Sequence, residues 1–252
     1  MYWRLLITIC AFVAATGAVP PPDVAWAGFE RIQFGLDPDG ARYPCPFRVE
    51  TSRWAATDHF TGVVVQWGPT RQRDRRDIDV VYPNGRSFRN TATWDTEARA
   101  RYSAVAIPLL GTPAETWLGT WRVVVFLNGA MVGEGAVDVL GPRVGALAEY
   151  QRALAASPNS AWAHFRVGAT ASIGGQFDIA ERHLREAARL QPIARTPRLA
   201  MALTHLRAGD KDKARTELIF LRGLLMGQRD DPGTYNAFYR AMLEDLLKEV
   251  GE

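Results

Sequence analysis

The chain has 252 residues, of which 47% are hydrophobic and 23% are charged, a balance that is typical of folded globular proteins and excludes a disordered chain. The formal net charge is +3 and the sequence pI is about 9.0, yet arginine and acidic residues are interspersed along most of the chain. This distribution argues against the domain-wide basic surface of a nucleic-acid-binding protein.

The first residues have the pattern of a secretory signal peptide. Arg4 precedes an apolar run over residues 5–15, which is shorter than the span of about 20 apolar residues that crosses a membrane. Ala25 and Ala27 form a small-residue cleavage pattern. The sequence therefore predicts that residues 1–27 are removed, leaving no transmembrane segment in a periplasmic or secreted chain, with an uncleaved N-terminal anchor as the alternative.

Removal of the signal peptide would leave one cysteine. Cys10 lies inside the predicted signal, and Cys45 lies between two prolines. The exported chain is therefore expected to have no intramolecular disulfide, with Cys45 as a small buried hydrophobic residue.

Short apolar or alternating runs separated by turn residues follow, without a helical period. The predicted strands cover residues 29–36, 47–51, 62–67, 78–82, 87–94, 102–109, 121–127 and 136–140. The pairs Asn84-Gly85 and Asn128-Gly129 fall between such runs, and Asn-Gly favours a tight hairpin. About eight short strands with regular turns predict an antiparallel β-sandwich over residues 28–141.

The last predicted hairpin begins with Gly119 and Trp121 and ends in an alternating aliphatic segment at 136–140. It resembles the terminal hairpin of bacterial immunoglobulin-like domains, which implies an immunoglobulin-like sandwich. The lone cysteine implies that tryptophans, rather than an inter-sheet disulfide, fill its core.

The register of this hairpin carries a further expectation. A strict two-residue turn would place Trp121 opposite Ala136, so that Val137 and Val139 would face away from Trp121. We therefore expect a longer turn or a β-bulge near Gly133 and Gly135 that shifts the register by one residue.

The second half of the chain repeats with a period of 34 residues, the length of a helix–turn–helix repeat. The recurring sets are Ala146, Ala180 and Ala214; Tyr150, Leu184 and Leu218; Ala153, Ala187 and Leu221; Pro158 and Pro192; and Gly141, Gly175 and Gly209. The most complete copy spans residues 161–194, with Gly168 inside its first helix. This pattern resembles the tetratricopeptide repeat (TPR), which implies TPR-like helix pairs over residues 142–228.

Residues 229–252 are predicted to form a capping helix. Fewer than three complete repeats are present, although about three are normally needed for stability. An amphipathic segment at 235–250 is expected to compensate for this deficit and to cover the leucine-rich face of the helix at 197–207.

The chain lacks the patterns that usually carry catalysis. None of the four histidines, His59, His164, His183 and His205, has metal-ligand spacing, and neither a nucleophile elbow nor a phosphate-binding glycine loop occurs. The sequence therefore predicts no enzyme activity, no cofactor and no metal. His164 and His205 are interpreted as packing or surface residues.

Two sets of residues are candidate contacts. Trp162, Phe165, Ala169 and Ile173 form a helical stripe that would line the concave side of a TPR-like array and bind a partner, or else would pack in the core. The second set, Arg71, Arg73, Arg75 and Arg76, is interpreted either as an anion contact or as a solvated loop balanced by its own aspartates.

Two functional hypotheses follow. The first is a non-enzymatic protein-binding or scaffold module of the periplasm or cell envelope, whose partner is a protein or peptide. The alternative is an enzyme or accessory subunit with a site at the sandwich–repeat junction that carries no recognisable motif. Convergent titratable groups in the deepest pocket would favour the enzyme, and an apolar groove would favour the binding module.

Overall fold

The computed structural model describes residues 29–36, 49–59, 61–99, 101–226 and 235–251. In these ranges nine strands precede six α-helices, which confirms the predicted order of a β domain followed by a helical array. No helix within them has the length and apolarity required to cross a membrane. The predicted signal peptide and Cys45 lie outside the described residues.

The strands form two sheets. They are β1 (Phe29–Leu36), β2 (Val49–Glu50), β3 (Arg53–Ala55), β4 (Thr61–Trp67), β5 (Arg75–Val81), β6 (Ser87–Thr93), β7 (Arg101–Ile107), β8 (Gly119–Leu127) and β9 (Ala130–Leu140). The first sheet has the order β2-β1-β4-β7 and the second has the order β3-β9-β8-β5-β6. All pairings are antiparallel except that of β3 with β9.

The two sheets enclose one hydrophobic core, to which large aromatic side chains contribute. Trp54, Trp67 and Trp121 are fully buried, and the Trp54 and Trp121 rings meet edge to face with centroids 6.5 Å apart. Aliphatic side chains from both sheets, among them Val63 and Val123, complete the same cluster. The expectation that tryptophans fill this core is confirmed.

The β8–β9 hairpin contains the predicted register shift. Asn128 and Gly129 both have positive φ, 50° and 84°, and form the two-residue turn. The pairing shifts between Val125 and Phe126, so that Trp121 lies opposite Val137 instead of Ala136. The bulge therefore directs the Trp121 and Val137 side chains into the same core, as predicted.

Six helices follow, and their starting points repeat. They are α1 (Ala146–Ala156), α2 (Ala161–Ile173), α3 (Phe177–Leu190), α4 (Arg195–Arg207), α5 (Lys211–Met226) and α6 (Tyr235–Glu249). Helices α2 and α4 begin 34 residues apart, as do α3 and α5. The 34-residue period of the sequence therefore corresponds to a repeated helix pair.

Six of the residues that recur in the sequence are buried contacts of the array. The recurring residues Ala180, Leu184, Ala187, Ala214, Leu218 and Leu221 are all fully buried. Their burial shows that the period marks the faces on which neighbouring helices pack, where small residues permit a close approach.

Gly168 lies at the closest of these crossings. A Cβ atom on Gly168 would be 2.7 Å from Leu184 Cγ and 3.0 Å from the Ala180 carbonyl oxygen, which belongs to the backbone of α3. A side chain at position 168 would therefore require Leu184 or the backbone of α3 to shift.

Alanine favours helices more than glycine does, but at position 168 it is expected to destabilise the fold. Gly168→Ala should lower the free energy of unfolding by about 1–3 kcal/mol, because the methyl group overpacks the crossing. Gly223→Ala on α5, where nothing lies within 4 Å of the added Cβ, should raise it by about 0.5–1 kcal/mol. Urea denaturation of both variants checks the difference in sign, and stabilisation by both would contradict the close crossing.

The C-terminal helix covers the leucine-rich face of α4. Leu199 and Leu203 of α4 share a hydrophobic cluster with Leu243 and Leu246 of α6. Met242, also on α6, belongs to the core of the β domain. Helix α6 therefore packs in the same cluster as the leucine-rich face of α4, and it also joins the array to the β domain.

Candidate functional site

The β domain and the helical array meet through both polar and apolar contacts. The Tyr150 hydroxyl on α1 donates to the Thr57 carbonyl at 3.0 Å. Gly111, with φ of 78°, lies so close to Phe165 that an added Cβ would be 2.7 Å from its ring. A buried ion pair joins Glu115 to Arg207. The β domain and the helical array are therefore directly packed at this junction.

A cavity of about 560 Å³ opens at this junction. It lies between the loop that follows β3, the start of α2, the α3–α4 connection, the start of α4, and α6. Its lining residues are His59, Ala161, Trp162, Phe165, Gln191, Ile193, Ala194, Arg195, Thr196, Pro197 and Tyr239. The volume is within the range of ordinary ligand sites, about 300–1,000 Å³.

Three aromatic rings form one wall of the cavity. Trp162 and Phe165 stack with centroids 5.0 Å apart and an interplanar angle of 26°. The His59 ring lies 5.0 Å from Trp162 and 5.2 Å from Phe165. Because the two α2 residues are three positions apart, they lie on one side of the helix and present a continuous apolar surface.

Two polar side chains of the wall, His59 and Tyr239, are neutral at ordinary pH, whereas Arg195 adds a guanidinium group to the lining. His59 Nδ1 donates to the Leu110 carbonyl at 2.8 Å, and burial lowers the pKa of His59 to about 4. Burial also raises the pKa of Tyr239 to about 12, while its hydroxyl lies 2.9 Å from Thr196 Oγ1. Neither group therefore exchanges a proton near pH 7, although both provide hydrogen-bonding atoms.

The predicted stripe on α2 is divided between the cavity and the core. Trp162 and Phe165 line the cavity, but Phe165 is only 1% exposed. Ala169 is buried in the helical core and Ile173 packs against that core. The four residues therefore do not form one exposed surface, because the later turns of α2 are covered by neighbouring helices.

The predicted arginine cluster is likewise divided, because β5 begins inside it. Arg71, Arg73 and Arg75 are exposed, whereas Arg76 is buried and bonds to Asn90. Successive side chains of a strand point to opposite faces, so Arg76 cannot join Arg75 in one anion contact. Burial lowers the pKa of Arg76 to about 10. The inclusion of Arg76 in the contact was wrong.

The other histidines are packing residues. His164 Nδ1 lies 3.0 Å from His183 Nδ1, and His164 Nε2 lies 2.9 Å from the Pro158 carbonyl, so this pair ties α2 to α3. His205 is buried. Within the ranges that the structure describes, no group of three or more potential ligands could hold a metal ion.

Several residues of the junction carry no sequence signal of a site. His59, Ile193 and Tyr239 are far apart in the chain and share no motif. Arg166 was also missed, although it lies one helical turn after Trp162 and its guanidinium carbon is 5.9 Å from the Trp162 ring centroid. That i, i+4 spacing is the only signal that associates Arg166 with the cavity.

Comparisons with known proteins give little beyond this geometry. No protein-family model and no curated protein matches the chain. Among solved structures, the crystal structure of an immunoglobulin-like protein from Pseudomonas aeruginosa matches with 17% sequence identity and a TM-score of 0.33. The match covers 45% of this chain and 95% of that chain. At this similarity the likeness carries no argument about this protein.

Proposed function

We propose that this protein is a non-enzymatic binding module of the periplasm or cell envelope that holds a peptide segment of a partner protein. In this proposal the cavity at the junction receives a bulky apolar side chain of that segment. The exported location follows from the signal-peptide pattern at residues 1–27.

The proposal also covers the kind of domain. We infer an immunoglobulin-like sandwich for the β domain, supported by two mostly antiparallel sheets that share one tryptophan-rich core. For the array we infer TPR-like repeats, supported by helix pairs that start 34 residues apart and cross at Gly168. TPR-like arrays usually bind proteins or peptides, so this inference favours a binding role by family analogy.

The cavity wall is the observation that carries the proposal. Acid–base catalysis near neutral pH requires a group whose pKa lies near the working pH. The pKa values of the buried ionisable groups of the wall lie far from pH 7, at about 4 for His59 and about 12 for Tyr239. The cavity combines an aromatic wall with the neutral hydrogen-bonding atoms of His59 and Tyr239 and one guanidinium group, that of Arg195. Such a preformed and largely apolar cavity suits the anchor side chain of a peptide, and aromatic residues are frequent anchors of interfaces.

Ile193 gives a direct test because it lines the cavity but is 82% exposed, so its replacement should leave the fold intact. Peptides selected from a random display library on the purified chain are expected to contain a leucine, phenylalanine or tryptophan anchor. Ile193→Asp should weaken their binding at least tenfold, because the anchor would have to pass a carboxylate. Fluorescence anisotropy of the selected peptides measures the change.

Val144→Asp is the matched control, since Val144 is fully exposed and does not line the cavity. It should leave peptide binding unchanged. Equal affinity of the wild type and both variants would contradict the cavity as the binding site, and so would selection of peptides without an apolar anchor.

A further inference from the structure

The guanidinium group of Arg166 is held in place by an aromatic ring. Its central carbon lies 3.9 Å from the centroid of the Tyr150 ring, which is itself buried and bonded through its hydroxyl to the β domain. This cation–π contact with a fixed ring restrains the guanidinium without using its N–H donors in conventional hydrogen bonds.

Those donors are available. Among the residues that the structure describes, Arg166 forms no hydrogen bond or ion pair. Asp58 and Glu149 are close enough for their charges to interact with Arg166, but each has another partner. Asp58 accepts the Ala55 N–H at 2.8 Å, and Glu149 is bonded to Arg143. The internal carboxylates near Arg166 therefore leave its donors unused.

Arg166 and the cavity flank the same indole ring. Trp162 lines the cavity, and its ring centroid lies 5.9 Å from the guanidinium carbon of Arg166. Arg143 approaches the Tyr150 ring as well, at 5.9 Å, but its charge is paired with Glu149. Arg166 itself does not line the cavity, so a chain segment with an apolar side chain there would reach Arg166 with residues that pass Trp162.

We propose that Arg166 binds a carboxylate of the partner, so that the recognised segment contains an acidic residue within about three positions of its apolar anchor. The inference rests on the proposed function, which it makes more specific. Arginine matches a carboxylate through two parallel N–H···O bonds, and such charge-assisted bonds are among the stronger ones in proteins. Arg166 lies next to Trp162 but outside the cavity lining, so the contact would add selectivity to the anchoring by the cavity.

Two matched peptide libraries test the proposal on the full chain. In one, a central leucine or phenylalanine is followed within three positions by aspartate; in the other, asparagine replaces the aspartate. The aspartate library should bind about tenfold more tightly, and its advantage should decrease as the salt concentration rises. Arg166→Gln should remove the advantage and leave the asparagine library unchanged, while Arg166→Lys should retain part of it.

Arg182→Gln is the control, because Arg182 is exposed on α3 and does not line the cavity. It should preserve the preference for aspartate. Equal binding of the two libraries would overturn the role of Arg166, as would an equal loss for both in Arg166→Gln. If Ile193→Asp still abolishes binding in that case, the proposed function stands without the acidic contact. If neither library binds, both proposals fall.

Discussion

Arg207→Met is expected to lower the free energy of unfolding by about 3 kcal/mol. Arg207 on α4 is ion-paired with Glu115, whose side chain is only 1% exposed and which also accepts the Gly111 N–H at 2.8 Å. Removing one member of a buried pair leaves the other charge without compensation, which typically costs about 3–5 kcal/mol. The lower end applies because the Arg207 side chain is 25% exposed.

The matched control is Arg185→Met, which removes an ion pair of the same type from the surface of α3. Arg185 pairs with Glu181, but its side chain is 72% exposed, so the loss should remain below about 0.5 kcal/mol. Urea denaturation of the two variants provides the comparison. Similar losses would show that the Glu115–Arg207 pair does not stabilise the junction.

The loss in Arg207→Met should also depend on pH. Burial raises the pKa of Glu115 and Arg207 opposes this shift, so removing Arg207 should raise that pKa further. A carboxyl group whose pKa is higher in the folded state binds its proton more tightly there, and stability decreases as pH rises toward that value. The variant should therefore lose more stability at pH 8 than at pH 5 relative to the wild type, and the opposite trend would contradict this assignment.

The features that were predictable from the sequence depend on local spacing. The 34-residue recurrence of Ala180 and Ala214 predicted the helix pairs, because each pair must bury the same face on its neighbours. The bulge in β9 was also predictable, since alternation required Trp121 and Val137 to share one face. Both predictions depend only on the spacing of residues that are close in the sequence or that repeat at a fixed interval.

Features that depend on distant pairing were not predictable. Strand β3 has only three residues and pairs in parallel with β9, more than eighty positions later, so no local alternation marks it. Arg76 was grouped with its neighbours because the start of β5 cannot be placed in a charged run. The cavity combines side chains of His59, Trp162 and Tyr239, whose proximity depends on how α6 and the β domain pack against α2.

Phe165→Ala is expected to have an effect as large as the loss of the ion pair, lowering the free energy of unfolding by about 3–5 kcal/mol. Phe165 is 1% exposed and lies against Gly111 of the β domain, Trp162 and His59. Gly111 has positive φ and provides no side chain that could fill the space left by the ring. The resulting void would adjoin the existing cavity and remove apolar contact between the two units.

Phe220→Ala is the control, because Phe220 on α5 is 47% exposed and its nearest charged contact is Arg198, 4.3 Å from the ring centroid. Its loss should cost less than about 1 kcal/mol. The midpoints of urea denaturation measure the difference between the two variants, provided that the dependence of the free energy of unfolding on urea concentration is the same for both. If Phe165→Ala cost as little stability as Phe220→Ala, Phe165 would not be a core residue. The hypothesis that it contacts a partner would then be favoured. A large loss confined to Phe165→Ala would instead assign it to the packing of the junction.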